Sequence, residues 1–392
     1  MGRSHFWHPP LWKWALALLL LAFSAGFVFR KPPAQSAQPV KVEMLPFPDS
    51  PPAWDGSYPH LVISPVDPEA QHVKFNSSIL RIKPTVRHDS PVNEFLVDLH
   101  SGEFVLRQTD IFIPDVTPLA LTRSYRVWDC CVRAFGMGMN HPYDICPTGT
   151  RHPYTYMDLN LEDGRQIHFR RISKGTGYAD AIFGHDETSS EFYGAQIAWN
   201  GNGWTLAFRD GRHFFFPEAY YAKSYAQGAP IAMHDADNNR TELKRDQRRN
   251  LQQIISPLGR KIAFGYDASD RIIEASDDAG NVRKYTYDSS GHLETVSDAS
   301  RLLYRFEYAP LLHWNYDNYL MTAVLDGRGR VLLQNVYRDR SRVSEQSLAD
   351  GEVFRYQYTF DKKNDIVDTI VTFPDGSTRK FLFQNGVPTG DE

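Results

Sequence analysis

The stretch GNVRKYTYDSSGHLETVSD, residues 280–298, decides the fold. Tyr285 and Tyr287 are two apart, so they share one face of an extended strand. Asp288-Ser289-Ser290-Gly291 is turn chemistry, because glycine takes positive φ freely and aspartate bonds its own backbone. Leu293 and Val296 are three apart, so both face inward only if a bulge lies between them. Asp298 opens the next turn. The stretch therefore reads as a β-hairpin with a defined entry and exit.

The hairpin recurs along the chain. Asn238, Gly259, Gly280 and Arg301 are turn positions spaced 21 residues apart. Seven residues after each stand Arg245, Tyr266, Tyr287 and Tyr308, and the first three of these precede Asp246, Asp267 and Asp288. Gly329, Gly351 and Gly376 continue the series with looser spacing, ahead of Tyr337, Tyr358 and Phe383, and an insertion around residues 311–319 accounts for the longer gap. An isolated hairpin is marginal, whereas stacked hairpins pair their edges and bury one continuous face. The expected fold is all-β: an N-terminal transmembrane helix, then a β-domain, then an open curved sheet of stacked hairpins.

Residues 266–280 (YDASDRIIEASDDAG) and the following unit resemble the YD or RHS repeat: Tyr-Asp, a turn, an apolar residue, then Asp-x-x-Gly. Tyr266, Asp267, Gly280, Tyr287, Asp288, Asp298 and Tyr308 carry this resemblance. Upstream, Asp98–Leu106, Thr109-Asp110, Pro118–Tyr125 with its Thr-Arg-x-Tyr, and Phe135-Gly136-Met137-Gly138 resemble the domain of unknown function that opens many RHS proteins. Met139-Asn140 stands where that family usually has tryptophan. The resemblance implies a spiralling β-sheet. Long relatives close a shell around a C-terminal toxin, but this sequence shows neither the family's core motif nor a toxin domain, so it reads as a short member.

The outer segments set the expected location. Trp14 to Phe29 is an uncharged apolar run flanked by Lys13, Arg30 and Lys31. Extended through Leu11, it rises about 28 Å as a helix, close to a hydrocarbon core. A cleaved signal peptide competes with an uncleaved anchor, and the absence of a good small-x-small site favours the anchor. Residues 32–68 hold ten of the 25 prolines, which neither helix nor central strand accepts. The expected organisation is a signal-anchor at 1–31, a proline-rich linker at 32–91, a β-domain at 92–231 and repeats at 232–392. The body is expected on the exported side of a bacterial membrane, in the periplasm or at the cell surface, and secreted if the N-terminal segment is cleaved.

Charge and chemistry narrow the function. The net charge is −4, so no basic excess exists to hold a phosphate backbone and no nucleic-acid partner is expected. Cys130, Cys131 and Cys146 are the three cysteines, and in an exported loop Cys146 is expected to bridge to Cys130 or Cys131. Zinc held by two cysteines and His141 is the alternative, although the spacing matches no common pattern. Asp277, Asp298 and Asp326 recur once per hairpin, which turn geometry explains without calcium. Acid pairs such as Glu162-Asp163 lie at hairpin turns, so a glycosidase pair is a remote reading. No catalytic residue, metal or cofactor is expected, and the chain is not expected to be an enzyme. The leading reading is a membrane-tethered structural or binding module. The alternatives are an accessory or remnant of a toxin-delivery system and, more distantly, a Cys-dependent or glycoside-cleaving enzyme. Expected partners are the membrane, a protein or second copy docking on the last hairpin at Phe381 and Phe383, and carbohydrate if aromatics such as Trp204, Trp314 or Phe214–Phe216 form an exposed ledge.

Overall fold

The computed structural model describes residues 97–391, apart from 127–128, 130–131, 188–189, 311–318, 339–340 and 385–386. The expected anchor and linker lie outside the described residues, as do Cys130, Cys131 and Trp314. No helix among the described residues is long and apolar enough to cross a membrane.

Twenty-two strands, from Cys146–Gly149 to Val387–Asp391, form one antiparallel meander. Each strand pairs with its neighbours in sequence. Among the described residues no ladder registers Val387–Asp391 against Cys146–Gly149, and the sheet is open there. The expected hairpins are present: Val282–Tyr287 pairs with Leu293–Ser297, and Lys261–Tyr266 with Ile272–Asp277.

The bulge falls where the sequence requires it. Thr286 pairs with Thr295 and Tyr287 with Leu293, which leaves Glu294 as the extra residue. That one residue turns both Leu293 and Val296 into the core, each fully buried. The same register shift recurs at Tyr266, Tyr308 and Tyr337.

The turns follow one chemistry. Gly280 sits at φ +85 and its N–H donates to the Asp277 carbonyl, while the Asp277 carboxylate accepts the Ala279 and Asn281 amides. Arg301 departs from this pattern. Arginine is disfavoured at positive φ, and Asp298 N–H donates to the Arg301 carbonyl, closing the turn one residue tighter than at Asp277 and Asn281.

Two cores form along the meander. One lies within residues 145–216 and centres on Leu159, Phe169, Phe183, Ile197 and Leu206. The other joins the inner face of the repeats to the opening segment 97–143. In that segment Val105–Ile113 and Leu119–Arg126 pair as a hairpin, and Met139–Asn140 adds a short third strand. Their apolar residues Phe104, Ile113, Leu121, Tyr125 and Phe135 cluster with Phe264, Tyr285, Val296, Phe306 and Tyr356 of the repeats. The opening segment thus fills the concave side of the repeat sheet.

Candidate functional site: the filled concave face

A tyrosine ladder fastens each repeat to the one before it. The hydroxyls of Tyr266, Tyr308 and Tyr358 donate to the carbonyls of Leu251, Leu293 and Val343, each fifteen residues earlier, at 2.9, 3.0 and 2.7 Å. Tyr287 donates to Ile272 and Tyr337 to Met321 in the same way. Arg245 occupies the tyrosine position of the first unit and performs the same task, its Nε reaching the Pro230 carbonyl at 3.0 Å. Burial pushes the tyrosine hydroxyls of 266, 308, 337 and 358 well above their usual pKa. Beside each of the first two rungs the aspartate holds a turn: Asp267 accepts the Ser269 and Arg271 amides, and Asp288 those of Ser290 and His292. The Tyr-Asp pair is therefore one inter-repeat strut and one turn clamp.

The opening segment is pegged to the repeats from the other side. Ile272 N–H donates to the Ala134 carbonyl at 2.7 Å, Met321 N–H to the Tyr125 hydroxyl at 3.1 Å and Val343 N–H to the Gly102 carbonyl at 2.8 Å. These are the same residues whose carbonyls accept the ladder tyrosines. Gly136 packs so closely that a Cβ there would lie 2.3 Å from the Gly291 carbonyl oxygen.

A buried ion pair sits at the centre. Asp110 is the bulged residue between Thr109 and Ile111. The Arg123 guanidinium meets its carboxylate through Nε at 2.5 Å and Nη2 at 2.9 Å, and also donates to Gln108. Tyr285 donates its hydroxyl to the same carboxylate at 2.9 Å, linking the opening segment to a residue 175 positions away. Arg123 lies between the rings of Phe135, Tyr285 and Phe306, 5.4 to 6.0 Å from their centroids. Burial alone penalises its charge, but Asp110 outweighs this and Arg123 stays ionised, its pKa raised. A second buried cluster places Arg126 3.0 Å from Asp98, against Glu103 and 3.6 Å from Asp163. Burial raises the Glu103 pKa, with Arg126 opposing.

The sequence-level candidates resolve as follows. Among the described residues Cys146 carries a free, fully buried thiol that packs with Ala222 and Tyr225, and the two partners expected for a disulfide, Cys130 and Cys131, lie outside the described residues. Burial pushes that thiol up to about 12, so little thiolate forms near neutrality. His141, Asp144 and Cys146 are near one another in sequence, but Asp144 is held by Arg245 at 2.8 Å and the cysteine thiol points to the Pro147 carbonyl. The strand that carries the expected docking residues Phe381 and Phe383 is not the edge of the sheet. Phe383 is buried against His100, with ring centroids 5.3 Å apart, and Phe381 packs half-buried on the same core. Their strand, Thr378–Gln384, is covered by a further one, Val387–Asp391. Trp204 is only 5% exposed and packs on Tyr154, Phe183 and Trp199, so it offers no ledge to a sugar. Phe214 and Phe215 are half-buried and Phe216 is buried. Sequence reasoning missed Asp110, Arg123 and Arg126 as interior residues. The one available signal was an acid and a base placed in two neighbouring strands whose flanks are apolar.

Two stretches of the chain match known families. The model of a domain of unknown function, DUF6531, matches residues 96–169, and the RHS Repeat model matches residues 266–302. A protein named probable deoxyribonuclease RhsA, from Dickeya dadantii (strain 3937), is 25% identical over 266 residues, covering 60% of this chain and 17% of that protein. The chain thus spans about a sixth of the length of that relative. Among solved structures, TcdB2-TccC3-Cdc42 aligns with 71% of this chain and 16% of its own at 10% identity and a TM-score of 0.29. TcdB2-TccC3 without its hypervariable C-terminal region aligns with 81% and 21% at 11% identity and a TM-score of 0.24. Scores this low carry no argument about role.

Proposed function

We infer that this chain, an RHS-repeat protein that opens with the DUF6531 domain, works as a structural module held outside the cytoplasm on an N-terminal membrane anchor. The observation that carries the structural reading is the Asp110–Arg123–Tyr285 network, which commits the opening segment to the inside of the repeat sheet. Two polar groups of the opening region are engaged in packing, which supports a structural role. Asp163 is bound by Arg165 and Arg126, and Cys146 is sealed. The apolar run from Trp14 to Phe29 supports the tether, and the proline-rich stretch after it supports a spacer. Protease added to intact cells or spheroplasts tests the arrangement. Cleavage within residues 32–91 should release a resistant body beginning near residue 97. A chain that stays whole until the cells are lysed contradicts the exported tether.

A second reading rests on the likeness to RhsA: the chain serves a toxin-delivery system as a structural component. In-cell crosslinking followed by mass spectrometry distinguishes the two. Recovery of a separately encoded toxic domain supports delivery, and recovery of envelope proteins alone supports the tethered module.

A further inference from the structure

Two histidines are sealed into the seam between the opening segment and the repeats. His141 is fully buried and His292 is 1% exposed. The His141 ring lies almost parallel to Phe264 of the repeats at 6.1 Å and meets Phe135 edge-on at 5.9 Å. Neither of its ring nitrogens has a hydrogen-bond partner. The closest charge is Asp144, 3.8 Å from Nε2, and that carboxylate is already taken by Arg245. The other titratable groups around this end of the seam are Tyr143 on the same turn, Tyr266 and Arg245 on the repeats, and Arg133, which is paired with Asp129 and lies over the Tyr225 ring. His292 follows Gly291, whose carbonyl accepts the Met137 amide of the opening segment at 3.1 Å. Its ring rests on Tyr308 at 4.7 Å, with Nδ1 3.2 Å from Asp288, and Arg271 is the cation beside this turn.

We propose that residues 134–141 form an acid-released latch, seated on the first repeats at neutral pH and freed when His141 and His292 take up protons. Seated, His141 is an uncharged ring in an aromatic slot. Protonated, it becomes a buried cation whose nearby counter-charge among the described residues, Asp144, is shared with Arg245, a costly arrangement. His292 loads the adjacent contact, because the turn that carries it also accepts Met137.

The direction of titration agrees. Burial lowers the pKa of both histidines, with Asp144 opposing for His141 and Asp288 opposing for His292. A histidine whose folded pKa is depressed leaves the seated state at full stability above the unfolded value, about 6.5, and weakens it as pH falls below that value. Each histidine then raises the open-to-seated ratio by up to about tenfold per pH unit until its folded pKa is passed.

Amide hydrogen exchange on the full chain, at about pH 7.5 and about pH 5 and corrected for intrinsic rates, tests the latch. Amides 134–141 and Ile272 should lose at least about tenfold protection in acid, while strands Tyr319–Asp326 and Val353–Phe360 keep theirs. His141→Phe, which preserves the aromatic slot, should remove most of that loss. Unchanged protection in acid, uniform loss across the whole sheet, or full acid sensitivity in His141→Phe would each overturn the latch. The wild-type series decides alone if the variant fails to fold.

Discussion

The hydroxyl of Tyr287 donates to the backbone carbonyl of Ile272, fifteen residues earlier in the chain, at 2.5 Å. The N–H of the same Ile272 donates to Ala134 of the opening segment. One peptide position thus joins a repeat to its successor and to the element that fills the curl. Tyr287→Phe should therefore destabilise the protein by about 1 kcal/mol, the usual net worth of one hydrogen bond plus part of the cost of a stranded buried acceptor. Tyr308→Phe and Tyr358→Phe should behave alike. Urea denaturation of the three variants checks this. Phe383, at the tyrosine position of the last unit, has no hydroxyl to lose, so Phe383→Leu reports packing alone.

The central ion pair yields a sharper contrast. Arg123→Ala strands a buried carboxylate and should cost about 3–5 kcal/mol, while replacing Asp110 and Arg123 together with apolar residues of similar size should cost far less. A double-variant loss as large as the sum of the Asp110→Ala and Arg123→Ala losses would show that the two residues are not coupled. Denaturant midpoints at constant m measure the difference.

How much of this the sequence discloses depends on range. The 21-residue period, the Tyr-Asp pair and the bulge at Glu294 are local, and each follows from strand alternation and turn chemistry. Asp110, Arg123 and Tyr125 were visible as a family pattern, yet their roles include contacts with residues more than 150 positions away, such as Asp110 with Tyr285 and Tyr125 with Met321. No periodicity encodes a partner at that distance. Polar type also misled: Arg123 and Asp110 look like surface residues until each is seen to neutralise the other.

Two glycines separate backbone strain from crowding. Gly280 sits at φ +85 with open space around its Cα, so Gly280→Ala should cost only the left-handed penalty, about 1–2 kcal/mol. Gly136→Ala adds a clash with the Gly291 carbonyl oxygen and should cost distinctly more. Equal midpoint shifts in urea for the two variants would contradict the close seating of the Phe135–Gly138 turn.

The buried hydroxyls predict alkaline lability. Tyr266, Tyr285, Tyr308, Tyr337 and Tyr358 all have pKa values raised, with burial the largest cause. The unfolded chain ionises its tyrosines near pH 10 and the folded one does not, so the unfolded state binds fewer protons there and stability falls as pH rises above about 10. Absorbance at the tyrosinate band should therefore show, after the exposed tyrosines such as Tyr193 and Tyr221, a late cooperative step that coincides with loss of β-sheet circular dichroism. A smooth titration of every tyrosine near its ordinary value, with the fold intact, would refute the buried ladder.

The seating of the opening segment inside the repeat sheet is tested most directly by single-residue amide exchange at neutral pH on Ile272, Met321 and Val343. Their N–H groups are spent on Ala134, Tyr125 and Gly102 of that segment. All three should be as slow as the ladder amides of the strands Leu293–Ser297 and Val353–Phe360. Exchange of all three at the rate of open loops, with those ladders still protected, would mean that the opening segment does not occupy the concave face.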